Sequence, residues 1–266
     1  MSLDLPHARR RQDRAPRSPR RVKSYLTLNG QILYWTLLAP FRGQPFKIGE
    51  VFRQMVAIGV RALPMAALTS FSIGLTMAMQ GAGALRKMGG LSYVPDLVTL
   101  SLLRELGPLI VAVIVIGRSG SAVTAELGTM KVSEEIEALE VMAINPIRFL
   151  VVPRFLAMMI MLPVLTVFGD WMGMVGGWSV CHFALDFETA AYIHRSVTRA
   201  ETWDLLSGLI KSVVFAWLII TIACHKGLAV EGGAEGVGQA TTDSVVWSLL
   251  IMLIANAILT GFFFFS

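Results

Sequence analysis

Residues 97–117 of this chain read LVTLSLLRELGPLIVAVIVIG, and this stretch decides the fold class. An apolar helix of about 20 residues matches the hydrocarbon thickness of a bilayer. Arg104 and Glu105 interrupt the apolar run, and Gly107 and Pro108 follow them. A charge inside a membrane span is costly unless it is paired or solvated. The stretch therefore predicts a transmembrane helix whose two charges either fix helix packing or line a transport path.

Four further apolar stretches of similar length accompany it. They cover residues 56–79, 155–183, 205–224 and 244–265. The composition agrees, because 55% of the residues are hydrophobic and 15% are charged, whereas a soluble domain is about a quarter charged. We predict an all-α polytopic integral membrane protein with about five transmembrane helices, formed as one domain by residues 25–266.

The N-terminal region carries much of the net charge of +5. Residues 1–24 contain eight Arg and Lys residues, a bias that holds an N-terminus in the cytoplasm and explains the charge without a nucleic-acid partner. We expect this tail to be disordered and cytosolic. Residues 25–41 are apolar but interrupted by Asn29 and Gln31, which predicts a helix lying in the membrane interface. With five spans, the C-terminus then lies on the periplasmic side.

A polar segment separates the second and third spans. Its charged residues alternate with apolar ones in a helical pattern that Asn145 and Pro146 end. These charges form either a solvated face or a surface that receives force from a soluble motor, and periodicity favours neither. The charged residues are Glu126, Lys131, Glu134, Glu135, Glu137 and Glu140.

Other polar residues interrupt the remaining spans. Lys211 lies in the fourth span, where it either reaches the headgroups along its own stem or faces a cavity. Asp170 interrupts the third span without an obvious basic partner nearby in sequence, and Asn256 interrupts the fifth. The third span also carries Gly169, Gly173 and Gly177 at every fourth position. This spacing predicts close approach of another helix.

Several kinds of site are excluded or disfavoured by the sequence. It contains no G-x-x-x-x-G-K-[ST] motif, so any ATP must be hydrolysed by a partner. Cys181 and Cys224 fall near opposite membrane faces, which indicates neither a disulfide nor a metal site. The motif of residues 117–120, Gly-Arg-Ser-Gly, matches intramembrane serine proteases, but Ser119 is at a membrane edge and only His225 lies on the same side. Proteolysis is therefore disfavoured.

Three stretches of the chain resemble the MlaE/YrbE family. These permease subunits of ABC transporters move phospholipids or other lipids together with MCE-domain proteins. The stretches are residues 101–108 with 117–126; residues 126–155 around MAINP; and the IKSVVF and GQATT runs at 210–215 and 238–242. Together they cover most of positions 70 to 260.

The resemblance implies a homodimer that encloses a central lipid-binding cavity. It also implies a separate cytosolic ATPase, which holds ATP and Mg²⁺, a periplasmic MCE-domain partner, and a phospholipid substrate. This chain itself would be no enzyme and would need no cofactor or metal. Residues 126–144 would form the coupling helix, with the six charged residues above docking into the ATPase. The cavity would be lined by Met77, Ala84, Leu85, Met88, Arg104, Glu105, Leu106, Lys211 and Asn256.

Some relatives carry an acid at the position of Asn256, so the resemblance gives no salt bridge there. The expected location is a bacterial inner membrane, because the tail is too poor in Ser for a plastid transit peptide. The alternative from another class is a stand-alone ion-coupled carrier or channel. Arg104, Glu105, Asp170 and Lys211 would then form the ion path. A purely structural scaffold gives no reason to keep charges within the spans.

Overall fold

The computed structural model describes residues 18–38, 48–87 and 89–265, and these contain helices and no strand. The α-helices are α1 (Ser18–Leu33), α2 (Ile48–Ile58), α3 (Leu63–Arg86), α4 (Val94–Ser101), α5 (Gly107–Val115), α6 (Ser121–Val132), α7 (Glu135–Val141), α8 (Val152–Leu185), α9 (Thr189–Arg199), α10 (Thr202–Leu228) and α11 (Gly233–Phe265). Short π-helical segments join several of them: Tyr34–Leu38, Leu102–Leu106, Ile116–Gly120 and Ile147–Val151.

Five helical stretches are long and apolar enough to cross a membrane. They are Ile48–Arg86, Leu91–Val132, Ile147–Leu185, Thr202–Leu228 and Gly233–Phe263. The prediction of an all-helical polytopic membrane protein with about five spans is thereby confirmed. All five stretches extend beyond the apolar runs read from the sequence, since helices continue past the hydrophobic part of each span.

The first span is divided, whereas residues 56–79 were predicted as one helix. Helix α2 ends at Ile58, a 3-10 turn covers Val60–Ala62, and α3 follows. Pro64 occupies the first turn of α3, where its missing N–H costs nothing. At the break, Gly59 packs closely against Met161 of α8. A Cβ atom on Gly59 would lie 2.2 Å from the Met161 side chain. The break therefore follows the packing against α8.

The prediction of one helix over residues 126–144 is wrong. Helix α6 continues directly from the second span as far as Val132, and α7 begins at Glu135. Between them Glu134 has a left-handed backbone, with φ of 60°, which breaks the helical hydrogen-bond series. Asn145 begins the next helical segment, because its side-chain oxygen accepts hydrogen bonds from the backbone N–H groups of Ile147 and Arg148 at 3.0 and 3.2 Å.

The close helix contact expected from the glycine stripe is confirmed. Helix α8 lies at the centre of the fold and packs against α2, α3, α5 and α10. A Cβ on Gly74 of α3 would lie 1.8 Å from the carbonyl oxygen of Gly173. A Cβ on Gly176 of α8 would likewise lie 2.1 Å from the carbonyl oxygen of Phe71. These glycines let the two backbones touch, which fixes the first span against the third.

Helix α1 packs one face against α10. Leu28 and Ile32 are buried, the Tyr25 hydroxyl lies 2.7 Å from the Thr221 hydroxyl, and Trp217 donates to the side-chain oxygen of Asn29 at 3.1 Å. This helix begins at Ser18, so the part of the predicted disordered tail from 18 to 24 is helical. Residues 1–17 of that tail, and residues 39–41 of the predicted interfacial helix, lie outside the described residues.

Helix also fills much of the sequence between the apolar runs of the last three spans. Helix α9 occupies most of the connection between the third and fourth spans, and α11 begins at Gly233, well before the apolar run that starts at residue 244. Gly232 and Gly233 have φ of 91° and 72°, conformations that glycine adopts without strain. The turn is therefore limited to the residues just before α11.

Candidate functional site

A backbone break in the second span organises the site. The Leu102–Leu106 segment is π-helical, so the N–H of Gly107 donates to the carbonyl of Leu102 rather than to that of Leu103. Pro108 has no N–H and cannot donate to the carbonyl of Arg104 four residues before it. The carbonyls of Leu103 and Arg104 therefore lose their usual α-helical donors. An unsatisfied carbonyl in hydrocarbon costs several kcal/mol.

Helix α10 is built to meet this break. The Lys211 ammonium donates to the freed carbonyl of Arg104 at 3.0 Å. One turn earlier, Gly208 presents only hydrogen to the carbonyl of Leu103, since a Cβ there would lie 2.2 Å from the oxygen. A glycine and a lysine three residues apart thus let α10 approach the break and supply it with a donor.

Lys211 and Glu105 form the centre of a buried polar network. They make an ion pair, and Lys211 also donates to the Thr260 hydroxyl at 2.9 Å. Thr260 in turn donates to the Glu105 carboxylate, whose two oxygens lie 2.9 and 3.0 Å away. The side-chain amide of Asn256 reaches the same carboxylate at 3.4 Å. The network joins the second, fourth and fifth spans.

The Lys211 side chain is 1% exposed, and its three partners match the three donors of an ammonium group. The interpretation in which Lys211 reaches outward to the headgroups is therefore wrong. Asn256 and Glu105 lie together in this buried network. The ion-pair partner of Lys211 is Glu105 of the second span, and from the fifth span Lys211 contacts the Thr260 hydroxyl.

Arg104 points away from Glu105 and pairs with Asp204 at the start of α10. The pair uses the Arg104 Nε. Asp204 also accepts a hydrogen bond from the Glu201 N–H at 3.1 Å, as part of the box that caps α10. The Asp204 side chain is 1% exposed, whereas that of Arg104 is 54% exposed. The guanidinium therefore keeps its terminal N–H groups available on an open face.

The depth of Arg104 differs from the sequence prediction, which placed it near the middle of the second span. Asp204 is in the first turn of α10, so Arg104 is level with one end of that helix. Lys211 is seven residues further along α10, about 10 Å deeper at 1.5 Å per residue. The open guanidinium and the buried ammonium thus lie at different heights.

The remaining residues predicted to line a cavity separate into two groups. Met77, Leu85 and Leu106 pack against one buried apolar cluster beside the network. This cluster comprises Ala78, Ala82, Val94, Val98, Leu102, Val180, Cys181 and Tyr192. Ala84 alone forms the second group, because it is exposed. Met88 lies outside the described residues.

Four of the six residues predicted to contact an ATPase have side-chain partners within this chain. Glu126 pairs at 2.9 Å with Arg154, a residue of α8 that is 3% exposed, and Lys131 pairs with Glu137. The hydrogen bond from Lys131 lowers the pKa of Glu137 below its ordinary value. Glu135 accepts a hydrogen bond from the Ser133 hydroxyl at 3.0 Å. Glu134 and Glu140 are exposed and make no ion pair with any described residue.

Three residues of these networks escaped the sequence analysis: Asp204, Thr260 and Arg154. Asp204 lies just before the fourth apolar stretch, and Glu201 three residues before it forms a capping pattern that indicates the start of a helix. Thr260 is four residues after Asn256, so the two share one face of the last span, and this polar stripe was a readable signal. No local pattern indicated that Arg154 would pair with Glu126.

The geometry at Ser119 does not support a protease. Its hydroxyl donates to the carbonyl of Ile58 at 2.7 Å and is buried. The His225 ring lies edge-on against Tyr25, with centroids 5.5 Å apart. Ser119 therefore joins the second span to the end of α2. Among the described residues there is also no cluster of three His, Cys, Asp or Glu that could hold a metal ion.

Comparison with known proteins identifies the family of the chain. The family model for permease MlaE matches residues 51–262. This range includes the backbone break, the Arg104–Asp204 and Lys211–Glu105 pairs and the segment from α6 to α7. The chain belongs to the MlaE permease family. As a member, it is a multi-pass membrane protein and an ABC transporter permease subunit.

Individual relatives cover most of the chain. A probable ABC transporter permease protein of Rickettsia prowazekii is 39% identical over 83% of this chain and 85% of its own length. The intermembrane phospholipid transport system permease protein MlaE of Haemophilus influenzae is 37% identical, over 80% of this chain and 82% of its own. The chloroplastic protein TRIGALACTOSYLDIACYLGLYCEROL 1 of Arabidopsis thaliana is 35% identical, over 81% and 61%.

Proposed function

We propose that this permease moves a phospholipid or a related lipid between a bacterial inner membrane and a periplasmic MCE-domain partner. Two copies of the chain enclose the lipid, and a separate ATPase supplies the energy. The N-terminus is cytosolic and the C-terminus periplasmic. The family membership and the name of the Haemophilus relative support the substrate class.

The observation that carries this proposal is the open guanidinium of Arg104. This cation stays 54% exposed at the level of one end of α10, where a lipid headgroup can reach it. It is favourable beside a lipid phosphate, which guanidinium groups bind through several N–H donors. Asp204 holds one edge of the guanidinium and leaves the other edge for a ligand. Met77, Leu85 and Leu106 provide adaptable apolar contacts nearby for acyl chains.

The pairing of Arg104, Glu105 and Lys211 weighs against an ion path through these three residues. An ion path needs sites that an ion can enter and leave, but Lys211 is saturated by Glu105, Thr260 and the Arg104 carbonyl. Asp204 is buried beneath Arg104 and engaged in the helix cap. The network is thus a fixed support that holds the second, fourth and fifth spans around one open cation.

The segment from α6 to α7 supplies a surface for the ATPase. Val141 and Met142 are exposed apolar residues at the end of α7, 89% and 60% accessible. The exposed carboxylates of Glu134 and Glu140 lie on the same short segment. An apolar contact rimmed by free acids suits a partner groove with basic edges. The Glu126–Arg154 pair would transmit movement of this segment to the third span.

The test is ATP-driven lipid transfer between vesicles by the reconstituted complex. Single replacement of Arg104 leaves the buried Asp204 carboxylate without its cation, so the informative variant is the double change Arg104→Gln with Asp204→Asn. We expect the complex to assemble and the rate of lipid transfer to fall about tenfold or more. This decrease corresponds to the loss of a charged hydrogen bond, which contributes about 1.5–3 kcal/mol.

The matched control is Lys226→Gln with Asp243→Asn, which removes an ion pair of 3.0 Å at the opposite end of α10. Transfer by this control should stay near the wild-type rate. Undiminished transfer by the Arg104 variant removes the guanidinium from the lipid path. Failure of the wild-type chain to copurify with an ATPase and an MCE-domain protein contradicts the proposed assembly.

A further inference from the structure

Asp170 of α8 is a buried acid that takes no part in the Lys211–Glu105 network or in the Arg104–Asp204 pair. The residue is 4% exposed, and its Oδ1 has no hydrogen-bond partner among the described residues. None of the ion pairs in the described part of the chain includes it. An unpaired carboxylate in hydrocarbon is among the most costly groups a protein can carry. Asp170 therefore needs a physical explanation.

The carboxyl group lies against the backbone break of the second span. A Cβ on Gly107 would come within 1.6 Å of the Asp170 Oδ1 and within 2.9 Å of the Leu102 carbonyl oxygen. The two oxygens thus face the same small space, which only a glycine leaves open. If Asp170 were ionised, two hydrogen-bond acceptors would oppose each other here. With a proton on the carboxyl, Asp170 would instead present a hydrogen-bond donor toward this acceptor.

The neighbouring helices supply no cation at this height. From α3 the nearest group is Ser70, whose buried hydroxyl also has no partner among the described residues, and α3 carries no ionisable residue before Arg86. The second span brings Arg104 and Glu105, and α10 brings Asp204 and Lys211. All four are engaged with one another in the two ion pairs already described.

Helices α2, α4 and α9 contact α8 at other heights, near Met161 and Gly177. The charged or titratable residues of these three helices accordingly lie toward the ends of α8. The same holds for the other such residues of α8 itself and for Arg148 in the preceding Ile147–Val151 segment. These residues are Glu50, Arg53, Asp96, Tyr192, His194, Arg195, Arg199, Arg148, Arg154 and His182.

We propose that Asp170 is an intramembrane proton-binding site, occupied when the third span packs against the break in the second. The neutral carboxyl fills the space beside Gly107 and shares its proton with the backbone oxygens there. Loss of the proton would place a negative charge against those oxygens and push α8 away from the segment that carries Arg104 and Glu105. Proton occupancy of Asp170 thereby controls how firmly this segment is held.

Infrared spectroscopy of the full-length chain in lipid bilayers tests the proposal directly. Aspartate carrying a ¹³C carboxyl label separates these groups from glutamate. At neutral pH the wild-type protein should show the C=O stretch of one protonated aspartic acid, and Asp170→Asn should remove it. Asp243→Asn, which changes an exposed and paired aspartate, should leave the band in place.

A second variant covers the case in which Asp170→Asn does not fold. Asp170→Glu keeps an ionisable group but takes it out of the aspartate-labelled spectrum, so the band should again disappear. A wild-type spectrum without a protonated aspartate, or a band that survives both replacements, overturns the proposal. Neither result depends on lipid transfer, so the proposed transport function is judged separately.

Thermal unfolding provides an independent readout. The folded protein holds a proton that the unfolded chain releases in neutral or alkaline solution, so raising the pH favours unfolding. The wild-type unfolding temperature should therefore decline more steeply from neutral to alkaline pH than that of Asp170→Asn. Parallel declines for the two proteins contradict a bound proton at Asp170.

Discussion

The chain uses ion pairs in two regions, and the comparison between them shows what burial does to the same chemistry. Within the spans, Lys211 is sealed between Glu105, Thr260 and a backbone carbonyl. In the segment from α6 to α7, Lys131 and Glu137 pair while both remain partly exposed. Breaking a buried pair leaves an uncompensated charge, whereas an exposed pair exchanges its partner for water at little cost.

The Glu126–Arg154 pair stands between these extremes. Arg154 is buried and also donates to the carbonyl of Leu150 at 2.7 Å, but Glu126 is half-exposed. The pair therefore joins α6, the continuation of the second span, to the third span. The three pairs form a series of decreasing burial, and we expect the effects of their removal to decrease in the same order.

The largest effect is expected at Lys211. Replacing Lys211 with Met keeps most of the side-chain volume but leaves Glu105 and the Arg104 carbonyl without their donor. We expect a loss of about 3 kcal/mol in the free energy of unfolding, within the range for a broken buried pair. Thermal unfolding in lipid or detergent should show a decrease of about 5 to 10 °C.

Lys226→Met is the matched control, because Lys226 pairs with a half-exposed aspartate at the far end of the same helix. Its unfolding temperature should change by much less. Equal decreases for the two lysine variants would show that burial does not distinguish these pairs.

An intermediate effect is expected for Glu126→Gln. The change leaves the Arg154 guanidinium buried without a carboxylate, which should cost about 1–2 kcal/mol in the free energy of unfolding. Glu140→Gln changes an exposed acid without an ion pair in the described structure and is the control. If the Glu126 and Glu140 variants unfold at the same temperature, the pair does not join α6 to the third span.

The smallest effect is expected for Glu137→Gln. The lowered pKa of Glu137, caused first by the hydrogen bond from Lys131, means that the folded state favours the ionised carboxylate. This stabilisation is fully present above the ordinary glutamate pKa and is lost as the pH falls through the lowered value. The unfolding temperatures of wild type and variant should therefore differ slightly at neutral pH and converge in acid. A difference that grows in acid has the wrong sign.

The sequence predicted the spans well, because apolar runs of about 20 residues have few other uses. Arg104 and Glu105 have different partners, which is consistent with the divergence of about 100° between neighbouring helical residues. The identity of those partners depended on tertiary structure. Asp204 became visible only when α10 was seen to begin before the apolar run, and Thr260 only when α11 was placed beside Glu105.

The break between α6 and α7 was not predictable from local pattern. Glu134 adopts a left-handed backbone, which costs a non-glycine residue about 1–2 kcal/mol, and nothing in its type announces this. The pairing of Lys131 with Glu137 across the break and the separate segment that it creates are tertiary consequences. The predicted coupling residues therefore lie on two helical segments: Glu126 and Lys131 on the continuation of the second span, and the remaining glutamates at or beyond the break.

The central claim is that the polar network holds the Arg104 guanidinium open for a lipid headgroup. Mass spectrometry of lipids that copurify with the intact complex tests it most directly. The account predicts phospholipid bound to the wild-type complex and to the Lys226→Gln with Asp243→Asn control, and much less bound to Arg104→Gln with Asp204→Asn. Equal lipid in all three complexes, or none in the wild type, would contradict it.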